Sequence, residues 1–188
     1  MSLLDDTFKQ LLDRLRNPEA LNPAKSDPIF YLAYPPEMML ELKRCLPRWI
    51  AKLRETGFEV RRVSLADLLW KTIDDSGRWK DWTEFEGQAE PEEVNDSVRD
   101  VVGGANGLAG LVADIVEGTS EGTVLLLTEA ELLHPYFRTR TIESRLHEKV
   151  RAPIVIFYPG RRSGQYGLHL LGFYPVDGNY RSTLLGGV

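Results

Sequence analysis

The side chains with the clearest chemical potential are arginines and tyrosines in the last third of the chain. They follow two apolar runs and a His-Pro-Tyr-Phe turn, where predicted strands and loops end. Guanidinium and phenol groups are enriched in protein interfaces, and guanidinium groups also bind phosphate. The candidate partner-binding residues are Arg138, Arg140, Tyr158, Arg161, Arg162, Tyr180 and Arg181.

Three interpretations of this basic cluster are open from the residues alone. It is a solvated face with ordinary ion pairs, a surface that binds another protein, or a contact site for nucleic acid. The formal net charge of the chain is −5, which favours protein over nucleic acid as the partner. The charge is also divided, because residues 123–188 carry +3 and residues 1–122 carry −8.

Residues that catalyse reactions or hold metals do not form a recognisable set. His134, His147 and His169 lie far apart in the sequence, and no GxSxG or HExxH motif is present. The single cysteine, Cys45, lies in a helical pattern and excludes an internal disulfide. We therefore expect no catalytic residue, no cofactor and no metal site.

One region resembles the scaffold of a P-loop nucleotide hydrolase without its phosphate loop. The apolar run Pro28–Ala33 leads into a turn and a helical pattern, and Glu129 follows a second apolar run, where such proteins carry an acidic Walker B residue. The turn at 34–37 reads Tyr-Pro-Pro-Glu, so it lacks glycine, lysine, serine and threonine. Prolines have no N–H group to hold phosphate, and Glu37 repels it. The glycine run at 103–110 follows a helical pattern, which favours close helix packing or a hinge over a phosphate loop.

The strands that position these residues predict a three-layer α/β fold with a mostly parallel central sheet flanked by helices. Thr123–Leu127 and Pro153–Tyr158 are short, unbroken apolar runs typical of strands buried on both faces, and Pro159-Gly160 is expected to close the second. Further strands are predicted at Pro28–Ala33 and Phe58–Val63, with an edge strand at Gly167–Phe173. Because parallel strands share one carboxyl edge, we expect the loops there to bring together Arg138, Arg140, Arg161 and Arg162.

Helical spacing fills the segments between the strands. An amphipathic helix is predicted over Ser2–Asn17, and Pro47 predicts a kink or a break near Lys43–Leu46 in the next helix. Asp74–Gln88 is predicted as a loop or a short helix, and its aromatic residues Trp79, Trp82 and Phe85 are expected either to pack across the sheet or to contact a partner. The pattern from Glu90 to Ile115, interrupted by glycines, predicts two helices joined flexibly, or one weak helix packed very closely against a neighbour. Ile142, Leu146 and Val150 predict a crossover helix. We divide the chain into a helix and connector at residues 1–27 and a single α/β domain at residues 28–188.

Composition indicates a globular protein, with 43% hydrophobic and 27% charged residues. No apolar run approaches membrane-spanning length, and the first residues are acidic where a signal peptide is basic. We expect a cytoplasmic protein without a membrane partner, and the oligomeric state stays open.

The last third of the chain resembles the BrxB-like family, whose members are encoded in bacteriophage-exclusion (BREX) defence loci. The resemblance lies in HPYFRTRTIESRL, in PIVIFYPGRRSGQYGLHLLG and in a late NYRS, and the order of the earlier elements agrees with it. The positions that match are Arg138 or Arg140, Tyr158-Pro159-Gly160, Gly164 and Asn179-Tyr180-Arg181.

The resemblance implies a component of a phage-defence system that has no recognised catalytic site. Family members have as gene neighbours a PglZ-type, alkaline-phosphatase-like protein, an adenine methyltransferase and a large ATPase. We therefore expect a non-catalytic adaptor that binds another defence protein, with the PglZ-type protein as the suspected partner. The alternatives are an enzyme that binds or hydrolyses nucleotide at an atypical site, and a subunit that contacts DNA.

Overall fold

The chain is described by a computed structural model over residues 2–147, 149–178 and 180–187. The helices are α1 (Leu3–Leu15), α2 (Met39–Glu55), α3 (Leu65–Asp75), α4 (Trp79–Glu86), α5 (Pro91–Gly103), α6 (Leu108–Glu117) and α7 (Thr139–Leu146). The strands are β1 (Ile29–Tyr34), β2 (Glu59–Ser64), β3 (Thr123–Thr128), β4 (Ile154–Ser163), β5 (Gly167–Leu170) and β6 (Thr183–Gly186). Short 3₁₀ helices follow β1 at Pro36–Met38 and β3 at Ala130–Leu133.

The sheet confirms the predicted three-layer α/β fold. Its strand order is β2-β3-β4-β1-β6, all neighbours along this path are parallel, and β5 pairs antiparallel with the end of β4. Since successive side chains of a strand point to opposite faces, the sheet supports two cores. Alternate residues of β1, such as Phe30 and Leu32, pack with α1 and α2, whereas Ile29 and Tyr31 pack with the helices from α3 to α7.

The three central strands are the ones that the apolar runs predicted. Every residue of β1 and β3 is buried, and β4 is buried from Ile154 to Gly160. The predicted end of β4 at Pro159-Gly160 is wrong, because the strand continues to Ser163 and pairs there with β5. Gly160 permits this pairing, since a Cβ atom there would lie 2.1 Å from the His169 carbonyl oxygen.

α1 packs on the sheet together with α2. Ser2 caps α1 by accepting a hydrogen bond from the Asp5 backbone N–H, and Leu4, Leu11 and Leu15 are buried beneath it. The Phe8 ring stacks on Trp49 of α2 with 4.5 Å between centroids. These contacts place the N-terminal helix in the same core as β1.

A kink or a break was predicted near Lys43–Leu46, and the break is wrong, because α2 runs unbroken through Pro47. Proline removes the hydrogen bond to the carbonyl four residues earlier, at Lys43. Both Lys43 and Pro47 are exposed, while Leu46 and Trp49 beside them are buried against the sheet. Packing of that apolar stripe holds the helix together, and Pro47 lies on its exposed side.

The segment rich in glycine joins two helices, as in the first of the two predicted alternatives, but the joint is tight and not flexible. α5 ends at Gly103 and α6 begins at Leu108, with Gly107 as the N-cap. A Cβ atom on Gly107 would lie 2.2 Å from the Val102 carbonyl oxygen, so only glycine fits this close approach. The aromatic segment before α5 contains the short helix α4.

Two elements at the carboxyl side differ from their predictions. The predicted edge strand Gly167–Phe173 is shorter, because β5 ends at Leu170, and the crossover helix α7 ends at Leu146, before the buried Val150. β6 was not predicted, since four residues are too few for a clear pattern. None of the helices in the described ranges has the length and apolar character of a membrane-spanning helix.

Candidate partner-binding site

The carboxyl edge of the sheet does not gather the four arginines that were expected there. Arg161 forms an ion pair with Glu37, which follows β1, at 3.1 Å. Arg162 stays in the β4–β5 hairpin, where it donates hydrogen bonds to the carbonyl oxygens of Gly164 and Gln165. Both side chains are exposed.

Arg140 and Arg181 lie together at another place, beside the amino ends of β1 and β6. Both line a cavity of about 460 Å³. Arg140 forms an ion pair with Asp177 at 3.0 Å. The prediction that Arg140 joins Arg161 is therefore wrong, because Arg140 is held by Asp177 beside this cavity whereas Arg161 pairs with Glu37 after β1. Asn179, which belongs to the matched motif, lies outside the described residues.

Glu143 is the central polar residue of this cavity, and sequence reasoning did not single it out. Its Oε1 atom accepts hydrogen bonds from the backbone N–H groups of Arg181 and Ser182 and from the Ser182 hydroxyl. His147, which directly follows α7, contacts Asp27 at 3.1 Å and Arg181 at 3.4 Å. This network ties the segment before β6 to α7.

Tyr158 and Tyr180 are core residues and do not belong to the exposed surface of this chain. Each is only 2% exposed, and both rings pack edge-on against Tyr31. Burial raises the pKa of Tyr158 to about 12, and burial likewise raises the pKa of Tyr180. Both phenols stay neutral at physiological pH, so they support the loops above them as uncharged, packed rings.

Arg138 precedes α7 and lies over an aromatic residue from the loop that follows β5. Its guanidinium carbon is 4.1 Å from the centroid of the Tyr174 ring, a distance typical of a cation–π contact. The His134 ring packs against Tyr174 at 4.8 Å and against Phe173 at 6.3 Å, and the Tyr174 hydroxyl contacts the His134 ring nitrogens. We call His134, Arg138, Phe173 and Tyr174 the arginine–aromatic surface.

The electrostatics of this surface keep the histidine neutral. Burial lowers the pKa of His134, and the positive charges of Arg138 and Arg99 lower it further. Arg99 also donates a hydrogen bond to the Pro135 carbonyl, which links the surface to α5. At neutral pH the surface therefore offers one cation, Arg138, on an uncharged aromatic platform.

The carboxyl ends of β1 and β3, where a P-loop protein holds its nucleotide, are closed by side chains. Lys43 lies 3.0 Å from Glu131, and Arg62 lies 3.5 Å from Glu129. The Tyr34 hydroxyl also faces Glu131, and burial followed by that negative charge raises the pKa of Tyr34. The space among these groups is about 20 Å³, which is close to the volume that one water molecule needs.

Glu129 adopts a left-handed backbone conformation, with φ of 66° and ψ of 34°. A non-glycine residue in this conformation is uncommon and carries a small energetic cost. Here the conformation starts the 3₁₀ helix that brings Glu131 over the end of β1. Within residues 2–147, 149–178 and 180–187, no group of three or more His, Cys, Asp and Glu side chains is arranged to hold a metal ion.

Sequence reasoning found Arg138 but missed Phe173 and Tyr174, its neighbours in space. The available signal was the aromatic pair Phe173-Tyr174, which lies between Gly172 and Pro175. It did not stand out because the contact joins two loops that are far apart in the sequence.

Comparison with known proteins supports the resemblance carried by these segments. The family model described as "BREX protein BrxB" matches residues 61–185, which is most of the chain and includes the whole arginine–aromatic surface. No match to a curated protein or to a solved structure was found. The chain belongs to the BrxB family and is a component of a BREX phage-defence system.

Proposed function

We propose that the chain is a non-catalytic adaptor of its BREX system and binds a PglZ-type, alkaline-phosphatase-like protein through the arginine–aromatic surface. The observation that carries this proposal is the exposure of Phe173, which is 70% accessible although its ring packs on Tyr174 at 4.6 Å. An ordered, exposed aromatic side chain beside an arginine is typical of the few residues that dominate the free energy of a protein interface.

Arg138 is suited to an interface because its position is already restricted. The planar guanidinium stacks on Tyr174 and keeps its N–H groups available for a partner carboxylate or carbonyl. A side chain that is ordered before binding loses less conformational entropy when the complex forms. The uncharged His134 next to it adds no repulsion toward a second cation or an apolar group.

The other predicted contacts have different parts in this proposal. Arg161 and Arg162 are exposed and stay predicted contacts at the carboxyl edge, and Arg140 and Arg181 stay predicted contacts at the amino edge. Tyr158 and Tyr180 support the surface from the core. An extended partner that covers the arginine–aromatic surface is able to reach either pair of arginines at the rim, where single charges contribute little to affinity.

The non-catalytic part of the proposal is supported by the closed carboxyl edge. Lys43 and Arg62, the cations nearest to a nucleotide at that position, already pair with Glu131 and Glu129. Two carboxylates and about 20 Å³ of space leave no room for a triphosphate. Nucleotide binding at this edge requires these ion pairs to break first.

The test is a binding titration between this chain and the PglZ-type protein of the same defence locus. Arg138→Ala and Phe173→Ala should each weaken binding by at least about 2 kcal/mol, which is roughly 30-fold in Kd. Arg54→Ala is the matched control, because Arg54 is an exposed arginine on α2 in the opposite layer. If both surface variants stay folded and bind with the parental Kd, the arginine–aromatic surface is not the interface.

Salt dependence separates this adaptor from a subunit that contacts DNA. Loss of a phosphate contact at Arg138 would weaken binding to every DNA sequence and reduce the slope of log K against log salt by roughly one unit. We expect no such binding to duplex DNA at physiological salt. If the chain binds DNA with a micromolar, salt-dependent Kd and Arg138→Ala abolishes that binding, the adaptor proposal is wrong and the chain is a subunit that contacts DNA.

A further inference from the structure

We infer that the chain has a second docking surface, on α3, α4 and α5, that takes a basic segment of another BREX protein. This inference deepens the proposed adaptor function, since an adaptor needs two surfaces, and it rests on that proposal only for the identity of the system. The two surfaces share no residue, so each can be tested while the other is intact. We call this surface the tryptophan–acid surface and define it by Trp70, Trp79, Phe85, Asp81 and Asp100.

Two exposed tryptophans from different helices form one stacked pair. Trp70 of α3 is 53% exposed and Trp79 of α4 is 45% exposed, and their ring centroids are 6.0 Å apart with nearly parallel planes. Phe85, on the same helix as Trp79, is also exposed. The sequence predicted that the aromatic residues of this segment are buried in the core or contact a partner. These aromatic residues differ in burial: Trp82 is buried, at 5% exposure, whereas Trp79 and Phe85 are exposed.

Trp82 fixes the exposed rings in place. Its indole N–H donates a hydrogen bond to the Ser97 hydroxyl on α5 at 3.0 Å, and the Trp79 ring packs edge-on against it. The Trp79 indole N–H donates in turn to the Asp74 carboxylate at 2.7 Å. The pair is therefore held by both neighbouring helices. Tryptophan in such an ordered, exposed position is strongly enriched among residues that dominate protein interfaces.

A groove between α4 and α5 lies beside Trp82, the ring against which Trp79 packs. It has a volume of about 560 Å³ and lies between Trp82, Phe85 and a row of acidic side chains. The acidic residues that line it are Asp81, Glu93, Asp96 and Asp100, and the lining cation is Arg78. Arg78 stacks on the Trp82 ring, and Arg99 neutralises Asp96 at 2.6 Å. Across the described part of the chain, no cation forms an ion pair with Asp81 or Asp100.

Charge complementarity selects a basic occupant for this groove. Two unpaired carboxylates beside exposed aromatic rings attract a segment with lysine or arginine on one face and aliphatic groups on the other. The cationic side chains also stack well on indole rings. A second copy of this chain offers its basic residues 123–188, but a head-to-tail contact between unlike surfaces builds rings or filaments and not the two-fold dimer that is the commonest assembly. We therefore assign the groove to a different protein, as an amphipathic basic helix.

The test places a photo-crosslinking phenylalanine analogue at position 70 in the full chain, co-expressed with the other proteins of its defence locus. The expected result is a crosslink to one of those proteins. Mass spectrometry identifies the crosslinked segment, and its sequence should carry a net positive charge. Reversal of the acidic charge with Asp81→Lys and Asp100→Lys together should reduce the crosslink yield at least about tenfold, because like charges then face each other. Asp13→Lys with Glu41→Lys makes the same charge change on exposed residues of α1 and α2, and should leave the yield unchanged.

Three crosslinking results overturn the inference: no crosslink, a crosslink to an acidic or uncharged segment, and a crosslink to a second copy of the chain. It is also overturned if the control pair Asp13→Lys with Glu41→Lys lowers the crosslink yield as much as Asp81→Lys with Asp100→Lys. Unfolding midpoints show whether the Asp81/Asp100 variant is folded. If it is not, Lys or Arg to Glu substitutions in the crosslinked segment test the same charge pairing from the partner's side. A failure of the proposed function is detected separately. In that case Arg138→Ala does not change the Kd between this chain and the PglZ-type protein.

Discussion

The Arg138 guanidinium lies over the Tyr174 ring, 4.1 Å from its centroid, and this contact joins the start of α7 to the loop after β5. Both ends are anchored in the core. α7 buries Ile142 and Leu146, and the residues around Tyr174 are tied back through the backbone pairing of Leu168 with Asp177. The contact thus places a cation and aromatic rings on a rigid base, which is the arrangement that the proposed adaptor surface requires.

Removal of the Tyr174 ring should weaken partner binding without unfolding the chain. A cation–π contact at a partly exposed site contributes about 0.5–1 kcal/mol, so Tyr174→Leu should raise the Kd for the PglZ-type protein by roughly 2–5-fold. Titration calorimetry measures the Kd. Arg138→Lys in the parental chain is the companion variant, because lysine keeps the charge but loses the planar stack. If Tyr174→Leu binds as tightly as the parent, Tyr174 does not position Arg138 for the partner.

Nucleotide binding should be undetectable at the carboxyl edge of the sheet. The turn Tyr34-Pro35-Pro36-Glu37 offers no phosphate-binding element, and Glu129 and Glu131 hold the nearby cations. Calorimetry with ATP and Mg²⁺ should give no saturable heat. A micromolar Kd that disappears in Glu129→Gln would contradict the prediction and support the enzyme alternative.

The central sheet was predictable because its strands are buried on both faces. Such strands read as unbroken apolar runs, which is how β1, β3 and β4 appear in the sequence. β6 escaped prediction because it is four residues long, and its position beside β1 depends on the register of Leu184 with Tyr31 and not on local pattern. Pro47 shows the opposite case, in which a strong local signal was overridden by packing of Trp49.

The site was only partly predictable for a related reason. Types and positions of residues identified Arg138 and Arg140 as candidates, but the partners of both come from residues 174–177, in another loop. Contacts between distant loops depend on tertiary structure. The same limit explains why four arginines expected at one edge of the sheet are distributed over both edges.

The stability of the chain should fall as the pH falls below about 6.5, in part because of His134. The pKa of His134 is lowered in the folded chain, so below the ordinary histidine pKa of about 6.5 the unfolded state takes up a proton that the folded state does not. The free energy of unfolding that neutral His134 allows is therefore complete above that pH, and it is lost as the pH falls toward the pKa of His134 in the folded chain. Urea unfolding of the parent and of His134→Gln between pH 7.5 and 5.5 measures the effect. The variant should lose less stability over this range, and equal losses would show that His134 does not contribute.

The tryptophans of α3 and α4 should differ sharply in their contribution to stability. Trp82 is buried, so Trp82→Ala should cost about 3–5 kcal/mol in the free energy of unfolding. Trp70 is exposed, and Trp70→Ala should change that free energy by no more than about 0.5 kcal/mol. Chemical denaturation followed by circular dichroism gives both values. A large loss of stability in Trp70→Ala would mean that the exposed pair serves the fold, and would remove the reason to regard it as a docking surface.

The joint between α5 and α6 predicts opposite effects for two glycines four residues apart. A Cβ atom on Gly107 would lie 2.2 Å from the Val102 carbonyl oxygen, and the backbone on both sides belongs to packed helices, so the clash has no cheap relief. Gly107→Ala should therefore destabilise the chain by more than about 1 kcal/mol.

Gly103 is the last residue of α5, and a Cβ atom there would meet nothing within 4 Å. Gly103→Ala should stabilise the chain by about 0.4–1 kcal/mol, because alanine restricts the unfolded chain and favours the helix. Equal effects of the two substitutions in urea unfolding would show that the glycine run is a flexible hinge and not a tight joint.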